Sequence, residues 1–499
     1  MLFHFPVYDI LQKLLYHQGS PLVFHSVLFV LLFSVFYMIY TIVYKKIFWR
    51  NLLLLLFSLY FYYKISGVYV IMLVLIASSD FLLGKRIFAG KSKKVKRNLL
   101  LLSLFIDVGL LLFFKYTNFF LNIFFNITSG ESSPFVLDLI TPIGISYFIF
   151  KTMSYIIDVY KKNIDRPETN YVNYLLYVSF FPNILSGPIL RSGELLPQFR
   201  KTLGFDKEFV SKAMLLIMTG LFKKIVIADV LAVNLVDRVF DSYEYFSSFE
   251  YLMAGYGYLV QLYFDFSGYT DLVIGIAMLL GFTSSPNFNK PFLAQNVTEF
   301  WRRWHLTLSN WLRDYIFSPL SIKLRNGGKA GLLFSVFITF LLCGLWHDAN
   351  LTFVVWGALH GLIMGWDILT RRGRMIVQKK INKPFYKVIS IFITFNVLMF
   401  TFIIFRAPDI TVAATMLKQI FSGVDFSLAH QWFGIYKYPF IMLLFGILLH
   451  YTPARWNQKI TGLFSRLHWS VQIVTVFMAI IFIFQFYTTA ALPFLYLDF

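Results

Sequence analysis

The chain has little cysteine and little charge, and both shortages exclude common classes of protein. Its one cysteine, Cys343, lies in an apolar run, so neither a disulfide framework nor a cysteine metal cluster is expected. Charged residues make up 14% of the 499 residues, against about 25% in soluble domains, and the mean hydropathy is +0.67. Apolar runs of span length recur along the sequence, and a single soluble core rarely buries so many. The composition therefore predicts an all-α polytopic membrane protein.

Acidic residues are also scarce, and the basic excess indicates topology. The sequence has 45 Lys and Arg against 25 Asp and Glu, a net charge of +20. The segments 85–97 and 371–387 each carry seven basic residues and no acid, which predicts cytoplasmic loops. NITSGESS (126–133) and DSYEYFSSFE (241–250) have no Lys or Arg and are predicted to be external. The charge needs no nucleic-acid partner.

Apolar segments that can cross a bilayer of about 30 Å recur throughout the chain. They lie near 22–43, 48–63, 66–83, 98–121, 139–160, 209–238, 251–282, 331–346, 351–369, 388–405, 433–452 and 470–490. About twelve transmembrane helices are therefore predicted, with both termini external and with no cleaved signal peptide. No stretch between them suffices for a second domain, so residues 1–499 are predicted to form a single integral-membrane domain.

Two further apolar stretches have cytoplasmic flanks on both sides and do not fit as ordinary spans. One is YLLYVSFFPNILSGPILR (174–191), which Pro182, Gly187 and Pro188 interrupt, and the other covers residues 299–320. Both are interpreted as re-entrant or interfacial helices. Non-helical backbone at membrane depth persists only where protein or a water-filled cavity satisfies its polar groups, so they predict a central cavity open to the cytoplasm.

The second stretch contains WRRWHLTLSNWLRD (301–314), which is unusually charged for so apolar a chain. On a continuous helix, one face carries Trp301, Trp304, His305, Leu308, Trp311 and Leu312, and the other directions carry Arg302, Arg303, Asn310 and Arg313. Both an interfacial amphipathic helix and a helix that lines a site explain this pattern. The histidine within the aromatic face favours the site, because a buried imidazole needs a polar partner.

The stretch CGLWHDANLTFVVWGALHGL (343–362) places His347 and Asp348 at the junction of two spans. Ionisable residues at membrane depth are costly, which makes His347 a functional candidate. The alternative is a structural histidine bonded to a carbonyl or to Asp348. His360 lies between two glycines of an apolar helix, where close helix packing explains the glycines and a structural role is favoured.

Two acidic residues, Asp265 and Asp271, lie in the predicted span QLYFDFSGYTDLVIG. Gln261, Asp265 and Tyr269 share a helix face, whereas Asp271 points about 240° away from Asp265. Asp265 is expected to pair with an arginine or to line the cavity. The sequence has no signature of a common hydrolase, zinc protease or nucleotide-binding loop, and no spacing suits a metal site.

Five stretches, in this order, resemble the membrane-bound O-acyltransferase family, in particular its bacterial alginate O-acetylation (AlgI-like) branch. They are SFFPNILSGPILR (179–191), QLYFDFSGYTDLVIGIAMLLGF (261–282), NFNKPFLAQNVTEFWRRWHLTLSNWLRD (287–314), GLWHDANLTFVVWGALHGL (344–362) and PFLYLDF (493–499). The resemblance covers a core of residues 136–499, and residues 1–135 match only in general character. At Asp348 the chain reads LWHDA where the family usually reads LWHGA.

The resemblance implies an acyltransferase in which His347 is the essential histidine and His305 a second recurring one. A neutral imidazole can take the proton of an attacking hydroxyl, and we assign this role to His347. His305, Asn310 or a tryptophan indole can donate to the oxyanion, and Arg302, Arg303 or Arg313 can hold the phosphates of an acyl-CoA. The residues predicted to bind substrate are Trp304, Asn310, Arg303, Arg313, Asp314, Trp346 and Asp265.

The resemblance further implies an acyl thioester, acetyl-CoA above all, as cytoplasmic donor, with no permanently bound cofactor. It implies acyl transfer across the bacterial cytoplasmic membrane for O-acylation of a cell-envelope or extracellular polysaccharide, together with an SGNH-like periplasmic or extracellular partner acyltransferase. D-Alanyl transfer in teichoic acid modification is the alternative within the enzyme class. A proton-coupled secondary transporter is the alternative outside it, because Asp265, Asp271 and His347 also suit a proton relay.

Overall fold

The computed structural model describes residues 12–17, 19, 21–130, 137, 139–427, 429–487 and 494. Helices are the only regular elements in these ranges, which confirms the all-α prediction. The chain divides into two compact units, the first comprising Met1–Asp206 and Ile276–Ser284, and the second comprising Lys207–Gly275 and Ser285–Leu497. Parts of two predicted features, the external loop 126–133 and the closing stretch 493–499, lie outside the described residues.

The first unit begins with α1, which Ser26 caps by accepting a hydrogen bond from the backbone N–H of Phe29. Its α-helices are α1 (Val27–Val43), α2 (Ile47–Ser66), α3 (Val70–Ala89), α4 (Lys93–Leu111), α5 (Thr117–Ser129), α6 (Ile145–Lys161), α7 (Tyr171–Ser179) and α8 (Ser192–Phe199). Arg50 of α2 is fully buried, and its guanidinium donates to the carbonyl oxygens of Lys201 at 2.8 Å and Phe199 at 2.7 Å. These bonds fix α2 against the end of α8.

The predicted re-entrant stretch 174–191 is a broken helix. α7 ends at Ser179, a 3₁₀ turn covers Phe181–Asn183, and irregular backbone follows as far as α8. Every residue from 173 to 190 is buried, and the Asn183 amide donates to the carbonyl oxygen of Pro188 at 3.3 Å. The irregular backbone is thus enclosed by protein, as its polar groups require.

The second unit contains all but the last turn of α12 and the remaining helices. They are α9 (Lys207–Phe222), α10 (Asp229–Leu231), α11 (Asp237–Asp241), α12 (Ser248–Leu279), α13 (Val297–Trp301), α14 (Leu306–Leu312), α15 (Ser318–Lys323), α16 (Gly328–His347), α17 (Leu351–Lys380), α18 (Lys383–Arg406), α19 (Ile410–Ser422), α20 (Ala429–Ile435), α21 (Lys437–Tyr451), α22 (Ala454–Arg466) and α23 (Trp469–Phe484). Four π-helical turns occur in the described chain: Leu112–Tyr116, Lys223–Ala228, Ala232–Val236 and Arg313–Phe317.

Glycines bring α16 and α17 into close contact. A Cβ atom on Gly357 would lie 2.5 Å from the carbonyl oxygen of Phe340 and 3.1 Å from Cα of Gly344, and one on Gly361 would lie 3.0 Å from Cα of Phe337. This confirms that close packing explains the two glycines around His360. The same contact fixes the end of α16, where His347 lies, against α17.

Six helical stretches are long and apolar enough to cross a membrane, or seven if α20 and α21, bent by 87°, form one span. They are Ile47–Ala89, Lys93–Ser129, Ser248–Leu279, Arg325–His347, Leu351–Lys380 and Lys383–Arg406. The predicted number of about twelve is not confirmed. Ile47–Ala89 combines two predicted spans, π-helical turns divide the predicted span 209–238, and α1 and α23 have only 17 and 16 residues.

Candidate active site

The stretch 301–314 is not the continuous helix that its periodicity suggests. α13 ends at Trp301, a turn follows, and α14 begins at Leu306. His305, between the two helices, has a φ of +43°, in the left-handed region that non-glycine residues rarely adopt. The predicted separation of faces nevertheless holds. The predicted face, Trp301, Trp304, His305, Leu308, Trp311 and Leu312, is buried, as is Thr307, whereas Arg302, Asn310 and Arg313 are exposed and Arg303 is half-buried.

Asn287 holds the backbone and side chain of His305 in this unusual conformation. Its Oδ1 lies 3.2 Å from His305 Nδ1 and also accepts from the backbone N–H and the hydroxyl of Thr307, at 3.1 and 2.8 Å. The backbone carbonyl of Asn287 accepts from Leu306 N at 2.9 Å. Sequence reasoning missed Asn287 as a site residue, although it opens the matched stretch NFNKPFLAQ.

These contacts define the chemistry of His305. Because Oδ1 of Asn287 only accepts hydrogen bonds, Nδ1 of His305 carries the proton and Nε2 is left as an acceptor. Burial lowers the pKa of His305 to about 3, so the ring is neutral. A neutral ring with this tautomer cannot donate from Nε2, which makes His305 unsuited to the predicted role of oxyanion donor.

His347 is the last residue of α16 and lies in an aromatic enclosure, with 3% of its surface exposed. Its ring centroid lies 5.1 Å from that of Trp346, 5.4 Å from that of Trp356 and 5.2 Å from that of Phe405. The Trp346 ring is also 6.1 Å from the His305 ring. The structure therefore places the rings of both predicted histidines in contact with the Trp346 indole. The predicted cavity beside them stays a prediction.

His360 is fully buried and its ring is bonded at both nitrogens. The indole Nε1–H of Trp301 donates to Nδ1 at 3.2 Å, and Nε2 lies 3.2 Å from the hydroxyl oxygen of Thr401. The His360 ring packs against Trp356 at 4.6 Å, and Trp356 in turn contacts His347. The favoured structural interpretation of His360 agrees with these contacts.

The carboxylate of Asp265 pairs with a lysine, so the expectation of an arginine partner is wrong. Nζ of Lys224 lies 2.7 Å from Asp265 and 2.9 Å from Asp229, and all three side chains are buried. Asp271 pairs separately with Lys223 at 2.5 Å. The two acids of α12 thus point to different neighbours, as their spacing predicts. The Lys224 ammonium also lies 4.9 Å from the ring of Phe494, the one residue of the closing stretch that the structure describes.

Two arginines predicted to bind phosphate are engaged by neighbouring carboxylates. Arg303 donates to Glu299 through Nε at 3.0 Å and Nη2 at 2.7 Å, and Arg313 donates to Asp314 at 2.8 and 3.3 Å. Phosphate would have to displace these carboxylates, and binding of the donor by either arginine stays a prediction.

The remaining predicted substrate contacts differ in accessibility. Trp304 is buried among rings, stacked on Phe300 at 5.3 Å and edge-on to Phe288 at 5.0 Å. Asn310 is exposed on the opposite side of the segment. Asp348 directly follows α16 in extended backbone, and the side chain that caps α17 is Asn350 instead.

Comparison with known proteins places this site in a family. The membrane-bound O-acyltransferase family matches residues 102–408, which include the segments of His305, His347 and His360. The probable alginate O-acetylase AlgI of Pseudomonas aeruginosa is 37% identical over 411 residues, 80% of this chain and 75% of that protein. The peptidoglycan O-acetyltransferase of Helicobacter pylori is 34% identical over 406 residues, 76% of this chain and 75% of that protein.

A more distant relative is named for the transfer of a different acyl group. The teichoic acid D-alanyltransferase of Bacillus subtilis is 28% identical over 275 residues, 54% of this chain and 69% of that protein. The family match and the extensive matches above 30% identity agree with the apolar helices of the fold. This chain belongs to the membrane-bound O-acyltransferase family, and it is a multi-pass membrane O-acyltransferase.

Proposed function

We propose that this protein moves an acetyl group from a cytoplasmic thioester across the membrane for O-acylation of a cell-envelope or extracellular polysaccharide. The relatives that match three quarters or more of this chain are named for O-acetylation of alginate and of peptidoglycan. The D-alanyltransferase match covers 54% of the chain at lower identity, so D-alanyl transfer ranks second.

Two buried imidazoles that both contact the Trp346 ring, those of His305 and His347, carry this proposal. His347 takes the proton of the attacking hydroxyl as that oxygen forms an ester bond with the acyl carbon. The C–S bond of the thioester then breaks, and the sulfur leaves as a thiol with the proton that His347 holds. Such positioned proton transfer typically contributes about 10²- to 10⁴-fold in rate. Burial among aromatic rings excludes water that would hydrolyse the thioester.

The Trp346 ring contacts both histidine rings, and its indole N–H is our candidate for stabilising the oxyanion. His305 takes a different role from the one first expected. Its Nε2 accepts, so it suits a substrate hydroxyl that needs an acceptor to orient it. Asn287 sets this role through the opposite ring nitrogen.

The charge of the connecting segments supports the proposed direction of transfer. The basic segments 85–97 and 371–387, which are mostly the ends of α3, α4, α17 and α18, are assigned to the cytoplasmic side, where thioesters such as acetyl-CoA are available. We further propose that the protein lies in the bacterial cytoplasmic membrane with an even number of spans, which leaves both termini external. It hands the acyl group to an SGNH-like partner acyltransferase outside, and no cofactor is permanently bound.

Proteoliposomes containing the purified protein test this function. We expect radiolabelled acetyl-CoA supplied at the cytoplasmic face to release free coenzyme A and to label an enclosed mannuronate oligosaccharide or muropeptide when the partner is present. A D-alanyl carrier protein supplied in place of acetyl-CoA distinguishes the second candidate. Labelling from the carrier alone would replace acetyl by D-alanyl transfer, and labelling from neither donor would reject both.

A further inference from the structure

The helix α17 holds the segment that leads to His305 at two points. His360 bonds to Trp301, and Asp367, two turns further along α17, accepts from the backbone N–H and hydroxyl of Thr298 at 2.9 and 3.0 Å. Thr298 and Trp301 lie three residues apart on α13, so both attachments use one face of that short helix. We call these two attachments the α17 clamp.

The hydrogen bonds of His360 leave its ring a single arrangement. An indole N–H only donates, so Nδ1 of His360 must be unprotonated, and Nε2–H donates to the hydroxyl oxygen of Thr401. The Thr401 hydroxyl in turn donates a hydrogen bond to the carbonyl oxygen of Leu398 at 2.9 Å. Each donor in this series of hydrogen bonds has an acceptor, and the series joins α13, α17 and α18. A proton added to Nδ1 would break the bond to Trp301.

The same ring touches the enclosure of His347. Trp356 lies 4.6 Å from His360, 5.7 Å from Trp301 and 5.4 Å from His347, measured between ring centroids. His305 lies four residues beyond Trp301 in the chain. His360 is therefore connected to both candidate histidines, to His347 through Trp356 and to His305 through Trp301.

We infer that His360 is a positioning residue for acyl transfer, which as a neutral Nε2–H imidazole sets the placement of His305 relative to His347. The inference rests on the proposed function, in which both histidines act on the substrate. Its ring does not take a proton during the reaction, because Nδ1 accepts from Trp301 throughout. His360 thus acts through Trp301 and Trp356.

Steady-state kinetics in nanodiscs, with acetyl-CoA as the probe, test the positioning role. We expect His360→Leu to lower kcat per folded molecule at least ten-fold while KM for acetyl-CoA stays within two-fold, and to lower the thermal midpoint because the buried Trp301 indole loses its acceptor. His360→Asn, whose Oδ1 replaces Nδ1 as acceptor for Trp301, should recover most of kcat. A loss confined to the amount of folded protein, with normal kcat per folded molecule, would overturn the inference.

The pairing with Trp301 gives a second measurement, which applies even if His360→Leu folds poorly. Trp301→Phe removes the indole donor and should lower kcat, and the double variant with His360→Leu should lose little more. Trp432→Phe is the matched control, because Trp432 is an equally buried indole of α20 whose Nε1 bonds to no described residue. Full additivity of the two losses, or an equal loss in the control, would contradict the inference.

Hydrogen exchange separates this inference from the proposed function. Residues 302–312 should exchange faster in His360→Leu and in Trp301→Phe than in the wild type, and Trp432→Phe should leave them unchanged. If exchange is faster in the two variants but the wild-type protein transfers no acetyl group, the α17 clamp is supported and the proposed function is rejected. Unchanged exchange together with wild-type kcat would reject the clamp alone.

Discussion

Asn287 and His305 lie eighteen residues apart in the chain, yet the amide oxygen of one lies 3.2 Å from Nδ1 of the other. The same oxygen accepts from the backbone and the hydroxyl of Thr307, so one side chain fixes the break between α13 and α14 and the tautomer of the histidine. Residues that set the tautomer of a functional imidazole commonly matter nearly as much as the imidazole itself. Asn287 is accordingly part of the candidate site.

Two substitutions of Asn287 should distinguish the contribution of its acceptor oxygen from that of its side-chain shape. Asn287→Leu removes Oδ1 and leaves His305 and Thr307 without their acceptor, which should cost about 1–3 kcal/mol of stability and about 10-fold or more in kcat. Asn287→Asp keeps an acceptor oxygen and should retain more activity. Thermal unfolding and coenzyme A release measure the two effects. Equal activity of the Leu and Asp variants would contradict the role assigned to Oδ1.

His347 should be indispensable for acyl transfer and largely dispensable for folding. His347→Ala and His347→Gln remove the base and should lower kcat by about 10²- to 10⁴-fold. Gel filtration and expression level should stay near those of the wild type. Asp348→Asn serves as the control at the next position, where the backbone is extended and the carboxylate is only half-buried. Near-normal product from either His347 variant would remove it from the mechanism.

The sequence predicts all the buried residues of 301–312 except Thr307, because a helical period of 3.6 residues identifies one buried face. It does not predict the break at His305, because that break depends on Asn287, which is remote in the chain. Likewise, spacing shows that Asp265 and Asp271 point apart, but the consecutive partners Lys223 and Lys224 come from a different helix and emerge only from the tertiary fold.

The number of spans illustrates the same difference between local and tertiary information. A hydropathy window measures the length of an apolar run, which suffices for α16, α17 and α18. It does not register that residues 209–238 are interrupted by π-helical turns at Lys223–Ala228 and Ala232–Val236. Such turns depend on side chains that pack against the helix, so they are not readable from the run itself.

The pH dependence of stability should carry a contribution from His305. Its pKa of about 3 in the folded state lies below the ordinary value of 6.5, so the unfolded chain binds more protons between these pH values. Stability should therefore fall as the pH is lowered, by about 2 kcal/mol between pH 7 and pH 5 for this one group. Thermal midpoints of His305→Gln should fall less steeply over that range. Parallel slopes in the wild type and in His305→Gln would contradict the prediction.

Close packing of α16 on α17 should make Gly357 sensitive to any side chain. Gly357→Ala places a Cβ 2.5 Å from the carbonyl oxygen of Phe340, so the helices must separate. Such overpacking typically costs about 1–3 kcal/mol, and kcat should fall because His347 lies on one helix and Trp356 on the other. Gly373→Ala, in the same helix with open space around it, is the matched control and should be neutral or slightly stabilising. Equal midpoints for the two variants would show that the contact is not tight.

The sequence gives equal weight to a stabilising role and to a substrate contact for Asp265. Replacing its side chain distinguishes the two roles. Because Asp265 and Lys224 are both buried, Asp265→Leu leaves the ammonium with only Asp229 as a carboxylate partner among the described residues. Loss of one partner of a buried pair costs about 3 kcal/mol or more, whereas replacing both partners by apolar residues is often nearly neutral. The thermal midpoint of Asp265→Leu should therefore fall well below that of the wild type. It should recover, with kcat per folded molecule, only when both Lys224→Met and Asp229→Leu are added, because Lys224→Met alone leaves Asp229 as an unpaired buried carboxylate. If instead Asp265→Leu keeps its midpoint and loses kcat, the carboxylate contacts the substrate and its pairing with Lys224 is secondary.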